Sequence, residues 1–357
     1  MPRSSFLPTA YGGVAETLIV ACAGGLALGL PGFPAGWLSG SIIAVSIAAL
    51  AGRPMHVPDT LARISFVLTG ISLGGAVTPD TVAGMAAWPA SLAALTVAMI
   101  GLTAAVAFYL HKVHGWDWAS ATFGSFPGAL ATVLVLAAEN RADVRAVAVV
   151  QTVRIVLLAV FLPAIFVALG LASSGVPVRG EPGFFPAPGQ VAILTAVSTA
   201  VAFGMQWLRV PGGLIFGAML MSAVLHGGGL VTAGLPRWVA IIAFMILGAL
   251  TGSRFANTDV RLLRHLAGAA IGAFAVGTLF AFGFALAVAA LLSLHPGDLI
   301  IAYAPGALDA MMLLALALHL NAAFVAAHHL ARFILVLVAI PLVVPLVRDK
   351  GAPPDPQ

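Results

Sequence analysis

Two arginines stand where a hydrocarbon environment should exclude them. Arg154 lies about nine residues into one apolar run and Arg332 about eleven into another. At ~1.5 Å per helical residue both sit roughly 13–17 Å deep, near the middle of a ~30 Å hydrocarbon core. An arginine there costs at least about 2.5–3.5 kcal/mol and needs a partner. Its planar fork suits an anionic substrate in a central cavity. The same fork can instead cap backbone carbonyls of an interrupted helix, and the spacing alone leaves both readings open. Asp309 is the acid set deep in an apolar run. It can neutralise Arg332 or bind a coupling proton or sodium ion. Gln151 and His329 each precede an arginine by three residues and so share its helical face. His329 is a candidate proton relay, and packing is the plain alternative.

The arginines accompany two helix-breaking segments. Ser125-Phe126-Pro127-Gly128 and Tyr303-Ala304-Pro305-Gly306 interrupt otherwise apolar runs. Proline removes a backbone donor and clashes with the preceding turn, and glycine loosens the chain. Irregular backbone at membrane depth survives only where protein or a water-filled cavity supplies partners. Half-helices are expected to start near Ala129 and Ala307, each offering free N–H groups and a partial positive charge. Thr132, in the first turn after the first break, joins Ser125, Pro127, Gly128, Ala129, Arg154, Tyr303, Pro305, Gly306 and Arg332 as a candidate substrate contact. Asp309, Gln151 and His329 are the candidates for ion or proton coupling.

These residues must be positioned by membrane-spanning helices. The chain has 357 residues, of which 61% are hydrophobic and 8% charged, with a mean hydropathy of +1.09. A soluble chain carries about 25% charged residues, so this one cannot cover its surface in water. A cytosolic enzyme, a secreted disulfide scaffold and a disordered chain are excluded. The 16 Lys and Arg are too scattered to form a nucleic-acid face. The single cysteine, Cys22, makes no intrachain disulfide. Apolar runs fall at 14–30, 33–51, 62–78, 88–110, 117–138, 145–170, 189–207, 210–227, 236–253, 266–293, 296–318 and 321–347. A Pro/Gly-rich linker spans 171–188 and a polar tail 348–357.

The chain is internally repeated. Pro127-Gly128-Ala129-Leu130 recurs 178 residues later as Pro305-Gly306-Ala307-Leu308, and Arg154, Pro163, Gly70, Gly74 and Pro58 recur at the same offset. Positive charge favours an inverted arrangement. If 117–138 and 296–318 are re-entrant, 12 of the Lys and Arg fall on the cytoplasmic side, 2 outside, and Arg154 and Arg332 remain in the membrane. Twelve full spans give only 8 against 6. The expected fold is therefore an all-α polytopic membrane protein of two inverted repeats. It has about ten transmembrane helices plus two re-entrant or Pro-Gly-broken segments. The divisions are a cytoplasmic N-terminus (1–13), repeat 1 (14–170), an extracytoplasmic linker (171–188), repeat 2 (189–347) and a cytoplasmic tail (348–357).

Pro34–Gly40, Ser125–Gly128, Ala137–Asp143 and Gln151–Arg154 with Pro163 together resemble the membrane AbrB duplication family, over about residues 14–347. Members are labelled AbrB-family regulators or ammonia monooxygenases. The family resembles the cation/proton-antiporter and anion-transporter superfamily of inverted-repeat secondary transporters. Asp309 and His329 stand where the first half has Ala131 and Gln151, so the two half-sites are not equivalent.

The reading implied is an ion-gradient-coupled transporter of a small organic anion, working by alternating access between the broken segments. The location is a bacterial inner membrane with both termini cytoplasmic. The alternative is a membrane sensor or regulatory protein that binds a ligand without moving it. No enzyme activity, cofactor or nucleic-acid partner is expected. His56, His111, His114, His226, His265, His295 and His319 form no metal-ligand pattern with a carboxylate, and no nucleotide-binding loop is present. The partners are the solute, a proton or sodium ion and the bilayer. The oligomeric state is open, with a homodimer among the options.

Overall fold

The computed structural model describes residues 7–75, 88–128, 130–171, 187–256 and 258–347. The expected linker, the tail and Ala129 fall wholly or largely outside them. Among the described residues the chain is all-helical. The helices are α1 Leu7–Gly29, α2 Gly36–Leu50, α3 Asp59–Gly74, α4 Trp88–His114, α5 Trp118–Ser125, α6 Leu130–Glu139 and α7 Val144–Ala168, followed by α8 Pro188–Trp207, α9 Gly213–Gly227, α10 Arg237–Gly252, α11 Val260–Leu292, α12 Pro296–Tyr303, α13 Leu308–Ala317 and α14 Ala322–Val347.

Seven helices are long and apolar enough to cross a bilayer, and shorter apolar ones accompany them. The protein is a polytopic membrane protein. Each run expected at 117–138 and 296–318 is two short helices: α5 with α6, and α12 with α13. Helices α2 and α9 are shorter than their apolar runs, 15 residues each, because Ala35 and Gly212 adopt left-handed N-cap conformations (φ 55° and 66°) that start the helix late. Conversely, α11 begins at Val260, six residues before its apolar run. Arg261 and Arg264 interrupt hydropathy but not helical backbone, since arginine is a good helix former.

Helix bounds on the two sides of the linker correspond closely. Helices α12, α13 and α14 begin 178 residues after α5, α6 and α7, and α10 begins 178 after α3.

The chain forms two compact units that interleave along the sequence. Unit 1 takes 1–88, 158–260 and 308–327. Its helices pack through small residues, which let backbones approach closely. A Cβ at Gly40 would overlap the Gly24 carbonyl across α1 and α2. Gly70 and Gly74 of α3 lie against Ile215 and Met219 of α9. Gly248 and Gly252 of α10 lie against Leu38 and Ile42 of α2. The exchange is reciprocal: each contact maps onto the other by the same offsets that relate the helix bounds. A buried cluster of Val67, Ile71, Leu194, Ala202, Leu214, Ala218 and Leu225 adds dispersion and shape fit.

Unit 2 takes 89–157, 261–307 and 328–357. It contains α5, α6 and α12, the first part of α7 to Leu157, α14 from His328 on, and nearly all of the long helices α4 and α11. Tyr109 of α4 occupies the space beside Gly272 of α11, and Phe280 of α11 the space beside Gly101 of α4.

Candidate functional site

The site grows from two helix ends. α5 stops at Ser125 because Phe126 precedes a proline, which excludes the helical region for that residue. Phe126 takes φ −57°, ψ 124°. Ala304, before Pro305, does the same with φ −55°, ψ 130°. Gly128 then turns at φ +91°, a conformation that favours glycine. New helices resume at Leu130 and Leu308, one residue from the expected starts.

A helix end leaves its last carbonyls without intrahelical donors and carries a partial negative charge. Here the donors come from a helix 28 residues downstream. Arg154 Nη1 donates to Ser125 O (3.3 Å) and Nη2 to Phe126 O (2.8 Å). One turn earlier on α7, Gln151 Nε2 donates to Phe123 O (2.8 Å). The second half repeats the device. Arg332 Nη1 donates to Ala304 O and Nη2 to Gly306 O, the latter at 2.8 Å. His329 Nε2 meets Ile301 O at 3.0 Å. Both arginines cap carbonyls of the broken segments, one of the two roles the sequence left open, and no carboxylate is among these partners. Arg332 Nη2 also meets His329 Nδ1.

The two breaks converge within unit 2. The Arg332 Nε atom lies 3.9 Å from where a Cβ on Gly128 would sit, so the second arginine reaches the first break. Arg154, on the carbonyls of Ser125 and Phe126, and Arg332, beside Gly128, thus meet at the same break. Both residues are 2% exposed. Each guanidinium has five N–H groups. Arg154 spends two on carbonyls, and its Nε is buried with no hydrogen-bond partner among the described residues, as is Gln151 Oε1.

Other candidates are placed differently. The Ser125 hydroxyl is spent on Thr122 O within its own helix (2.7 Å), so its contribution at the break is its carbonyl. Pro127 and Pro305 are buried at the breaks, and Thr132 is half-buried in the first turn of α6. Asp309 lies in the first turn of α13, where a carboxylate complements the helix dipole. Tyr303 is buried, and its hydroxyl donates to Ser91 O (2.6 Å). The Ser91 hydroxyl in turn meets His328 Nε2 (2.8 Å). This Tyr303–Ser91–His328 chain carried no sequence signal, because Ser91 is one small polar residue in a long apolar run. The acidic stretch before α7 has a local explanation. Asp143 Oδ1 accepts from the backbone N–H groups of Arg145 and Ala146, capping the helix, and Asn321 caps α14 likewise.

Comparison with known proteins places the chain in a family. The family described as "Transition state regulatory protein AbrB" matches residues 37–348. An Escherichia coli (strain K12) protein named "Putative regulator AbrB" is 27% identical over 314 residues, covering 87% of this chain and 89% of the relative. YhjN of Bacillus subtilis (strain 168) is 24% identical over 352 residues, covering 91% and 90%. A match that runs from α2 to the end of α14, and so includes both breaks and both arginines, makes the chain a member of the AbrB family.

Proposed function

We propose that this protein is a secondary transporter of a small organic anion, working by alternating access around the two broken segments, and that it is not an enzyme. One observation carries the reading. Two buried guanidiniums at the first break are partnered by neutral carbonyls and an imidazole, and among the described residues no carboxylate bonds to either. Carbonyl caps satisfy geometry but leave two positive charges uncompensated in a buried site. The Arg154 Nε that is buried without a hydrogen-bond partner among the described residues, with the N-terminus of α6, favours an entering carboxylate, sulfonate or similar anion.

Further features support the transport framework. Four helix starts and the capping bonds recur at an offset of 178, and the glycine contacts of unit 1 exchange reciprocally. These are what two repeats of inverted topology would produce. The Lys/Arg distribution favours ten crossings with two re-entrant segments and cytoplasmic termini. Coupling is then to an ion gradient across a bacterial inner membrane. Uptake of labelled small anions by liposomes containing the purified protein tests the proposal. The competing reading is a membrane sensor, favoured by the family description, which speaks of regulation. A sensor would bind an anion in that assay without moving it.

A further inference from the structure

His329 is 1% exposed and is held from both sides. A guanidinium is a donor only, so the Nδ1 that meets Arg332 Nη2 must present its lone pair. A carbonyl is an acceptor only, so the Nε2 that meets Ile301 O must carry the hydrogen. The partners therefore fix a neutral ring in the Nε2–H tautomer. A second proton has one place to go, Nδ1, and Arg332 already occupies it. Among the described residues, the titratable and charged groups around this ring are His328 and Arg332 on α14, Tyr303 on α12, whose ring lies 6.1 Å from that of His328, and Arg154 on α7, at the break that Arg332 also reaches. None of these groups is an acid that would offset the added charge. The first half has no such switch. Gln151 makes the same bond to Phe123 O with an amide that does not titrate.

We propose that His329 is the proton-coupling residue of the anion site, and that a proton and the Arg332 guanidinium compete for its Nδ1. This rests on the transport reading above. On protonation a water-borne proton forms an N–H bond at Nδ1, and the Nη2–H···Nδ1 hydrogen bond is lost. No covalent bond between heavy atoms changes. The Arg332 fork is freed on that side, and the site gains a third positive charge beside Arg154 and Arg332. An anion at the site offsets that charge, so proton and anion bind more tightly together than apart, the reciprocal coupling a symporter needs.

Two measurements on the full-length protein in lipid nanodiscs and liposomes test this. In protein labelled with ¹⁵N-histidine and ¹⁵N-arginine, the His329 resonance, identified by its loss in His329→Gln, should show the neutral Nε2–H tautomer at pH 8. On acidification its protonation should coincide with a shift of the Arg332 side-chain resonance, identified by Arg332→Lys. A neutral Nδ1–H tautomer at pH 8, or protonation that leaves the Arg332 signal unmoved, overturns the competition. In liposomes, uptake of labelled succinate, citrate or taurine should rise about tenfold under an inward proton gradient at clamped voltage, the effect of about one pH unit of drive. His329→Gln should reduce that stimulation below about twofold, since glutamine keeps both hydrogen-bond roles without titrating. Equal stimulation in the variant overturns the coupling role while leaving transport standing. No uptake of any probe by wild type, with or without a gradient, removes the transport reading instead. The resonance measurement still decides the competition in that case.

Discussion

At the residue scale, the arginines serve the backbone first. Each replaces the donors that a broken helix lacks, and a hydrogen bond involving a charged group is worth about 1.5–3 kcal/mol. Arg332→Ala removes two such carbonyl bonds and the one to His329. It should lower stability by about 3–5 kcal/mol, read as a fall in melting temperature of the detergent-purified protein. Adding Asp309→Ala should not restore it, because Arg332 is held by carbonyls rather than by that acid. Recovery in the double variant would make the pair structural. Arg154→Lys keeps charge but loses the fork over Ser125 O and Phe126 O, and it should cost about 1–3 kcal/mol in melting experiments. The burial and recurrence of these arginines were legible in the sequence. The identity of their acceptors was not, because every acceptor is a main-chain carbonyl, which no residue type announces. His329 was legible by its i to i+3 spacing from Arg332. The placement of Ser91 beside His328 was not, since it depends on how α4 packs against α14.

At the element scale, the breaks are set by short punctuation. Pro127 and Pro305 end α5 and α12 by restraining the residue before them, which is why the expected half-helix starts fall within one residue of Leu130 and Leu308. A Cβ on Gly128 would meet only Arg332 Nε at an ordinary 3.9 Å, but Gly128 has a left-handed φ of +91°. Gly128→Ala should therefore cost about 1–2 kcal/mol from backbone strain alone. Gly40→Ala should cost more, because its Cβ meets the Gly24 carbonyl and the two helices must separate. Comparing the two melting temperatures checks this order, and a larger loss at Gly128 would contradict it. Helix ends without such punctuation were harder to place. The start of α11 passes through Arg261 and Arg264, which hydropathy reads as a loop although arginine suits a helix. The starts of α2 and α9 are cut short by left-handed caps that an apolar run conceals.

At the scale of the molecule, composition alone made the chain a membrane protein, since so few charges cannot cover a surface in water. The interleaving of its compact units was not legible, because which helices pack together is decided by contacts far apart in sequence. The proposed topology puts Arg141 and the Arg254–Arg264 region on the cytoplasmic side. Single cysteines at 141 and 261, in a Cys22-free background, should resist an impermeant thiol reagent in intact cells, and labelling of either would contradict inverted repeats. Transport itself is tested most directly by uptake into liposomes of labelled carboxylates and sulfonates, wild type against Arg332→Lys. Saturable uptake of at least one anion is expected, weakened about tenfold or more by the lysine, the worth of about one charge-assisted hydrogen bond. An anion that binds the purified protein but never accumulates, or uptake indifferent to Arg332→Lys, would contradict a transporter built on these two arginines.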